Sequence, residues 1–215
     1  MTPIVVSRVG ASHDGGAAEG YASASHIRQL LRQGDGDAAL AFLPAAAAEV
    51  LRRELAAGRL TNGALVERAI LARLRQMTEE EFTAYDGGGE GLYHRVYDAV
   101  RRCATVEELL AAVKTKRYTA ARLRRMVLSA WLGLSKAPET VPYARVLAAN
   151  ETGRALLRQM RKAGAPVLTK AADVAALGSG AEALFRREAG YTDLYTLAYT
   201  DLAQAVPGSD WRLTP

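Results

Sequence analysis

The sequence predicts a mainly helical protein that carries one small strand–helix–strand element. Alanine makes up about a fifth of the 215 residues, and alanine is the residue that most favours helix. Apolar side chains recur at helical spacing through most of residues 37–136. Only residues 143–169 combine two strand-like segments with a helix between them. With 49% hydrophobic and 24% charged residues, the chain has the composition of a globular domain.

Two features precede the first predicted helix. Ile4, Val5 and Val6 form a β-branched run, which predicts a short strand. Residues 10–20 are mostly glycine, alanine and polar side chains, so we expect them to form a flexible loop.

The first helix is predicted to begin within residues 22–25, where Ser23 or Ser25 can act as the N-cap. It is predicted to end at Gly34 or Gly36. Its apolar stripe consists of Ile27, Leu30 and Leu31.

The middle of the chain carries further helix signals. Pro44 stands where the first turn of a helix would begin. Thr78 with Glu81, and Thr105 with Glu108, match the capping box, in which the first side chain and the fourth satisfy each other's backbone amides. The predicted apolar faces of two of these helices consist of Leu65, Val66, Ala69, Ile70, Leu74 and Met77, and of Val106, Leu109, Leu110 and Val113.

The strand–helix–strand element is predicted at residues 143–169. Residues 143–147 form the first candidate strand, and Asn150 can cap a helix that runs to Lys162. Gly164 ends that helix, and residues 166–169 form the second candidate strand. Two strands joined by a helical crossover pair in parallel.

Basic residues concentrate in one segment of the chain. The formal net charge is +5, but residues 109–162 hold twelve Lys and Arg against only Glu139 and Glu151. That segment therefore carries +10 and the rest of the chain −5. This asymmetry favours a surface that binds a polyanion. A solvated basic helix face is the alternative, and the charge count does not separate the two.

Several classes of protein are excluded or disfavoured. A single cysteine, Cys103, excludes a disulfide framework and a cysteine-rich metal site. The histidines lack metal-ligand spacing, so no metal is expected. No segment has the ~20 uninterrupted apolar residues of a membrane span, and residues 1–8 do not resemble a signal peptide. We therefore expect a cytoplasmic protein.

The first candidate site lies at the start of the first helix. Ser23 and Ser25 place hydroxyls where backbone amides and the helix dipole favour an anion, and Arg28 lies one turn further. Arg8, after the predicted first strand, is a second cation for the same site. The plainer interpretation is serine capping with a solvent-exposed arginine, and spacing alone favours it.

The second candidate site is residues 114–125, which hold six basic residues and no acidic one. If a helix begins at Thr119, Arg122 and Arg125 lie opposite its apolar stripe and face outward. Tyr118 then stands among the cations, where its ring can stack on a nucleobase. A structural tyrosine beside a solvated helix is the equal alternative. The predicted stripe consists of Leu123, Val127, Ala130, Trp131 and Leu134.

Five segments in a fixed order carry a resemblance to a known family. They are Ser-Arg-Val-Gly-Ala at 7–11, Ala-Ser-Ala-Ser-His-Ile-Arg at 22–28, Lys-Thr-Lys-Arg-Tyr-Thr-x-x-Arg-Leu-x-Arg at 114–125, Val-Leu-Thr-Lys at 167–170 and Asp-Leu-Tyr-Thr-Leu-Ala-Tyr at 193–199. Together they resemble the bacterial tRNA(Met) cytidine acetate ligases, which are also described as nucleotidyltransferases. The Lys-Thr-Lys-Arg-Tyr-Thr block at 114–119 is the most specific part.

The resemblance implies a two-part enzyme. A Rossmann-like nucleotidyltransferase domain binds ATP, carries a His-x-x-His signature and activates acetate as acetyl-adenylate. A helical C-terminal region helps bind tRNA, and the acetyl group passes to the N4 amine of the wobble cytidine in elongator tRNA(Met). By position, Arg8, Val9, Ser23, Ser25 and Arg28 match nucleotide-contacting residues. The predicted tRNA-binding set is Lys114, Lys116, Arg117, Tyr118, Arg122 and Arg125.

The sequence also departs from the family pattern, because it contains no His-x-x-His. We therefore expect a C-terminal portion that lacks the catalytic core and is inactive alone, with no catalytic residue of its own and weak or absent ATP binding. Residues 1–36 would be a remnant of the nucleotidyltransferase domain, and residues 37–215 a helical tRNA-binding domain. A stand-alone RNA-binding module without catalysis is the alternative.

Overall fold

A computed structural model describes residues 4–5, 10, 15–18, 20–87, 91–135 and 140–213. The chain divides into two compact units, Met1–Asn62 with Tyr199–Gln204, and Gly63–Ala198 with Ala205–Pro215. The strands are β1 (Ala17–Ala18), β2 (Tyr21–Ala22), β3 (Ala144–Arg145) and β4 (Val167–Leu168). The α-helices are α1 (Ala24–Arg32), α2 (Gly36–Ala41), α3 (Ala45–Ala56), α4 (Gly63–Gln76), α5 (Glu79–Thr83), α6 (Leu92–Val100), α7 (Val106–Val113), α8 (Ala120–Leu132), α9 (Glu151–Lys162), α10 (Ser179–Thr196) and α11 (Ser209–Arg212). The 3-10 helices are Ala171–Leu177 and Leu202–Gln204. The prediction of a mainly helical protein is confirmed.

The start of the first unit differs from the prediction. Ile4 and Val5 lie outside any strand and are each 89% exposed, so the strand predicted there does not form at these two residues. An isolated strand has unpaired backbone groups and needs a partner to persist. The expected loop instead contains a two-residue antiparallel hairpin, β1 with β2, which turns at Gly20 with φ 78°.

The first unit continues through α1, α2 and α3, each of which begins at a residue with a clear local reason. The Ser23 side chain accepts from the amide of His26 at the start of α1, and the Asp35 side chain accepts from Ala38 at the start of α2. Pro44 precedes α3 as predicted, since proline has no amide proton to leave unsatisfied.

Residues 199–204 join this unit through the chain just after α3. Thr61 pairs with Tyr199 in an antiparallel bridge, and the amide of Asp201 donates to the carbonyl of Gly58 at 3.0 Å. Gly58 has φ 65°, and an added Cβ would lie 2.4 Å from the Cβ of Asp201. Only glycine fits this junction.

An ion pair at this junction has a strongly shifted carboxylate. Arg59 Nε donates to Glu54 Oε2 at 2.6 Å, and Arg53 Nε donates to Glu54 Oε1 at 3.0 Å. The hydrogen bond from Arg59, followed by that from Arg53, lowers the pKa of Glu54 from 4.5 to about 2. Because the folded-state pKa is depressed, the stabilisation is complete above pH 4.5 and is lost as the pH falls toward about 2.

We therefore expect the Glu54 carboxyl to titrate with a pKa of about 2 in the wild type, and Arg59→Gln to move that midpoint toward 4.5. The Glu54 side-chain carbon resonance, followed by NMR from neutral to acid pH, measures both values. Glu49, on the same helix, serves as the reference carboxyl. A midpoint that Arg59→Gln leaves unchanged would show that the pair does not control this proton.

The second unit contains a helical core built from α4 to α8. Phe82 and Leu92 are fully buried at its centre, and the Phe82 ring meets the Tyr97 ring edge-on at 6.3 Å. Most of the predicted stripes are buried, but Leu65, Ala69 and Leu134 are exposed, while Leu71, outside the predicted stripes, is buried. The core comprises Val66, Ile70, Leu74, Met77, Phe82, Leu92, Val96, Ala99, Val100, Leu109, Val113, Tyr118, Leu123, Met126, Val127, Ala130 and Ala198.

The capping signals in this unit hold to different degrees. Thr78 and Glu81 form the complete capping box at α5. At α7 the Thr105 side chain accepts from the amide of Glu108, but Glu108 Oε2 accepts from Ala104 at 2.8 Å. The second match is therefore a helix cap whose glutamate reaches one residue further back.

The strand–helix–strand element is confirmed. β3 pairs in parallel with β4, with Ala144 opposite Val167 and Arg145 opposite Leu168. Asn150 caps α9 by accepting from the amide of Gly153. This element contributes Tyr143 and Leu168 to a separate core, which also contains Ala171, Val174, Ala181, Phe185 and Ala189.

The compact units have limits of their own, and the predicted domains, residues 1–36 and 37–215, stay a prediction. The division falls between residues 62 and 63, and residues 199–204 return to the first unit, whereas the sequence suggested a division after residue 36. The described part of the first unit shows a hairpin and helices but no parallel strand, so its origin as a Rossmann-like remnant stays a prediction. Within the described ranges, no helix is both long enough and apolar enough to span a membrane.

Candidate nucleic-acid interface

The most specific sequence motif forms the connection between α7 and α8, residues 114–119, which we name the basic loop. Lys114 ends α7 in an extended conformation. The amide of Thr115 donates to the carbonyl of Tyr118 at 3.2 Å, and the amide of Tyr118 donates to Thr115 Oγ1 at 3.0 Å. Thr119 then caps α8. These reciprocal bonds give the loop one defined conformation.

Tyr118 anchors the basic loop from inside. It is 6% exposed and belongs to the core of the second unit. The guanidinium carbons of Arg117 and Arg122 lie 5.8 Å and 5.4 Å from its ring centroid, which is within the range of a cation–π contact. The expectation that this ring stacks on a nucleobase is therefore corrected, because a buried ring has no open face for a base.

The cations of the basic loop point outward. Lys114, Lys116 and Arg117 are all exposed, and so is Arg125 on α8. Thr115 and Tyr118 thus stabilise the loop conformation, while the exposed lysines and arginine next to them present positive charge. Such a surface suits the phosphates of a nucleic acid, which lysine and arginine contact without reading sequence.

Arg122 has a different environment from the other predicted cations. Its Nη2 donates to the backbone carbonyl of Asp86 at 3.0 Å and lies 3.5 Å from Asp86 Oδ1. The Asp86 side chain is 2% exposed and that of Arg122 is 28% exposed. The prediction that Arg122 faces outward is therefore only partly correct, since its guanidinium neutralises a buried carboxylate.

The first candidate site, at the N-terminus of α1, belongs to the first unit. Ser23 is 1% exposed; its hydroxyl donates to the carbonyl of Gly15 at 2.7 Å and accepts from the amide of His26 at 3.1 Å. A hydroxyl has one proton to donate, so Ser23 has none left for a phosphate. The plainer interpretation, serine capping, is observed for this residue.

The other members of the first candidate set are Ser25 and Arg28. Both are exposed, and Arg28 Nη2 donates to Ser25 Oγ at 3.4 Å. Their side chains therefore meet at the solvent side of the first turn. Arg8 and Val9, the remaining predicted nucleotide contacts, lie outside the described residues.

Two further features of the structure are not evident in the sequence motifs. Asp86 has the sequence context of an isolated turn residue, and only the fold brings it to Arg122. On α9, Arg154, Arg158 and Arg161 follow the i, i+4, i+7 spacing of one helix face. The sequence could have indicated this basic helix face, because a helix was predicted over these residues. Over the part of the chain that the structure describes, no group of three or more metal-ligating side chains occurs.

Two curated relatives are named tRNA(Met) cytidine acetate ligase. The protein of Syntrophomonas wolfei subsp. wolfei is 26% identical over 229 residues, which cover 100% of this chain and 55% of the relative. The protein of Kosmotoga olearia is 33% identical over 180 residues, which cover 79% of this chain and 42% of the relative. The chain thus spans about half the length of the curated relatives it matches.

Two crystal structures of Thermotoga maritima TmcAL share this fold. The apo form I superposes with a TM-score of 0.86 at 24% identity and covers 98% of this chain and 54% of that one. Form II, bound with alpha-thio ATP, superposes with a TM-score of 0.81 at 24% identity and covers 91% and 51%. At this identity the likeness establishes the fold.

The family model described as HIGH Nucleotidyl Transferase matches residues 1–208. A match that begins at residue 1 gives no support to the expectation that a catalytic core is missing. It covers nearly the whole of the 215 residues, including both candidate sites. The chain therefore belongs to the HIGH nucleotidyl transferase family.

Proposed function

We propose that this chain takes part in the reaction of an ATP-dependent tRNA(Met) cytidine acetate ligase, which forms N4-acetylcytidine at the anticodon wobble position. We also propose that its second unit binds the tRNA. The names of the curated relatives support the reaction and the substrate. The partner is then elongator tRNA(Met).

The observation that carries this proposal is that some residues of the basic loop fix its backbone while others present exposed positive charge. Thr115 and Tyr118 fix the backbone by hydrogen bonds and burial, while Lys114, Lys116 and Arg117 stay exposed. A loop that is already ordered loses little conformational entropy when it binds. Three exposed cations on such a loop suit a rigid, densely charged partner such as folded tRNA.

The other predicted members of this surface have distinct roles in the proposal. Arg125 is exposed one turn into α8, and we assign it to the same tRNA-facing surface. Arg122 supports the loop through its ion pair with Asp86, and Tyr118 supports it through the core. In the proposal both residues affect tRNA binding indirectly, because they hold Lys116 and Arg117 in position.

ATP is the nucleotide of the proposed reaction, and form II of Thermotoga maritima TmcAL is bound with alpha-thio ATP. The first turn of α1 fits a nucleotide phosphate in part. Ser25 and Arg28 offer an exposed hydroxyl and guanidinium, whereas the hydroxyl proton of Ser23 is already used. We therefore restrict the nucleotide contacts among the described residues to Ser25 and Arg28.

The test of the tRNA surface is filter binding of an elongator tRNA(Met) transcript across a series of salt concentrations. Each phosphate that a cation neutralises contributes a slope of roughly 0.7–0.9 in log affinity against log salt. We expect Lys116→Ala and Arg117→Ala each to weaken binding at low salt and to lower this slope by about one.

Arg187→Ala provides the matched control, because it removes one exposed arginine from α10 of the same unit. Its affinity and salt slope should stay at wild-type values. If Lys116→Ala and Arg117→Ala also match the wild type in both quantities, the basic loop is a solvated surface and the proposed tRNA contact is wrong.

A further inference from the structure

A second basic surface lies on α9, a helix that contains none of the predicted site residues. Arg154, Arg158 and Arg161 form one stripe of this helix, and Lys170 follows β4 by two residues. Together with Ala149, Leu157 and Thr169 they line a groove of about 280 Å³. No carboxylate is among these lining residues.

Three of the cations in this groove form no ion pair with the acidic residues that the structure describes. Arg154, Arg158 and Lys170 are exposed, and across the described ranges none of the three has an acidic group within ion-pair distance. Arg161 Nη2 donates to the hydroxyl of Thr169, the residue that follows β4. This hydrogen bond orients the guanidinium toward the C-terminal end of that strand. Four cations facing one groove repel each other, so an anion between them is stabilising.

The dimensions of the stripe indicate what kind of anion fits. Arg154 and Arg161 are seven residues apart, which is about 10 Å along a helix axis. A stripe of this length can contact more than one group of a repeating anion. Guanidinium groups match phosphate oxygens through paired hydrogen bonds. The residues that follow a parallel strand, here Thr169 and Lys170, are also a common location for phosphate ligands.

We infer that this groove binds the phosphate backbone of an RNA, as a second contact surface in addition to the basic loop. The inference rests on the proposed function, because tRNA is the RNA that the proposed reaction supplies. The groove is lined by α9 and by the residues that follow β4, whereas the basic loop is the α7–α8 connection, so the two surfaces share no residue. Each can therefore be removed without changing the other.

The experiment compares Arg154→Ala/Arg158→Ala with Lys116→Ala/Arg117→Ala and with the control Arg187→Ala, in filter binding of the tRNA(Met) transcript across salt. The groove variant should lower the salt slope by roughly 1.4–1.8, which is two phosphate contacts. Its thermal unfolding should match the wild type, since both side chains are exposed. Isothermal titration of ATP should give the same heats for the groove variant as for the wild type.

The two proposals fail in different ways. If only the loop variant lowers the slope, the groove inference is overturned and the proposed tRNA contact stands. If only the groove variant does so, the groove stands and the basic loop does not bind tRNA. Wild-type protein that shows no salt-dependent tRNA binding overturns both. Loss of ATP binding in the groove variant would assign the groove to a free nucleotide and overturn its assignment to RNA.

Discussion

Replacing Tyr118 with alanine should lower the free energy of unfolding by about 3–5 kcal/mol, the range observed when a large aromatic side chain is removed from a packed core. Tyr118 is 6% exposed and packs in the same core as Leu123 and Val113. The guanidinium carbon of Arg122 also lies 5.4 Å from the ring centroid, so the loss of the ring removes packing on two sides. Urea unfolding, followed by far-ultraviolet circular dichroism, measures the change.

Tyr118→Phe is the matched control for this change. It keeps the ring and its packing and removes only the hydroxyl, so we expect a loss of at most about 1.5 kcal/mol. Its tRNA affinity and salt slope should equal those of the wild type. A Tyr118→Ala variant that unfolds like the wild type yet binds tRNA less tightly would restore base stacking as the role of this residue.

The elements that the sequence predicted correctly are those whose signals are local. The Ser23, Thr78, Thr105, Thr119 and Asn150 caps all appear at the predicted helix starts. A cap depends on side chains and amides within three residues of each other, so neighbouring sequence contains the whole interaction. The parallel pairing of β3 with β4 followed because a helical crossover leaves few alternatives.

The strand that does not form at Ile4 and Val5, and the division into compact units, both depend on partners distant in sequence. Ile4 and Val5 have the composition of a strand, but a strand forms only where another chain segment supplies hydrogen bonds, and both residues are exposed and lie outside any strand. The helix pattern of residues 37–62 gave no sign that residues 199–204 return to Gly58 and Thr61. This is why the compact units divide at a different residue.

The exposed charges of the candidate site could be predicted from the sequence, but the buried contacts that hold the basic loop in place could not. The exposure of Lys114, Lys116 and Arg117 follows from their charge. The burial of Tyr118 does not, because a tyrosine between basic residues has the same sequence context whether its ring faces a base or a core. Arg122 illustrates the same limit, since its distance from Asp86 is set by the packing of α8 against the turn before α6.

Removing the Arg122 charge with Arg122→Met should destabilise the second unit, because it leaves the Asp86 carboxylate buried without its cation. Breaking a buried pair in this way costs about 3–5 kcal/mol. We expect the lower end of that range, because the side chain of Arg122 is 28% exposed and water screens part of the interaction. Methionine retains much of the side-chain volume, so thermal or urea unfolding reports mainly on the lost charge.

Asp86→Asn completes the test as a double-mutant cycle. The amide keeps an acceptor for the amide of Tyr93, which lies 3.5 Å from Asp86 Oδ2, and it removes the buried charge. In the Asp86→Asn background Arg122→Met should cost much less, with a coupling energy of about 0.5–3 kcal/mol. The same four proteins also distinguish an indirect role of Arg122 from direct contact with the RNA. If Arg122 acts on tRNA binding only by supporting the loop, Arg122→Met changes the affinity without lowering the salt slope. A slope lowered by about one, with no loss of stability, would instead place Arg122 directly against an RNA phosphate.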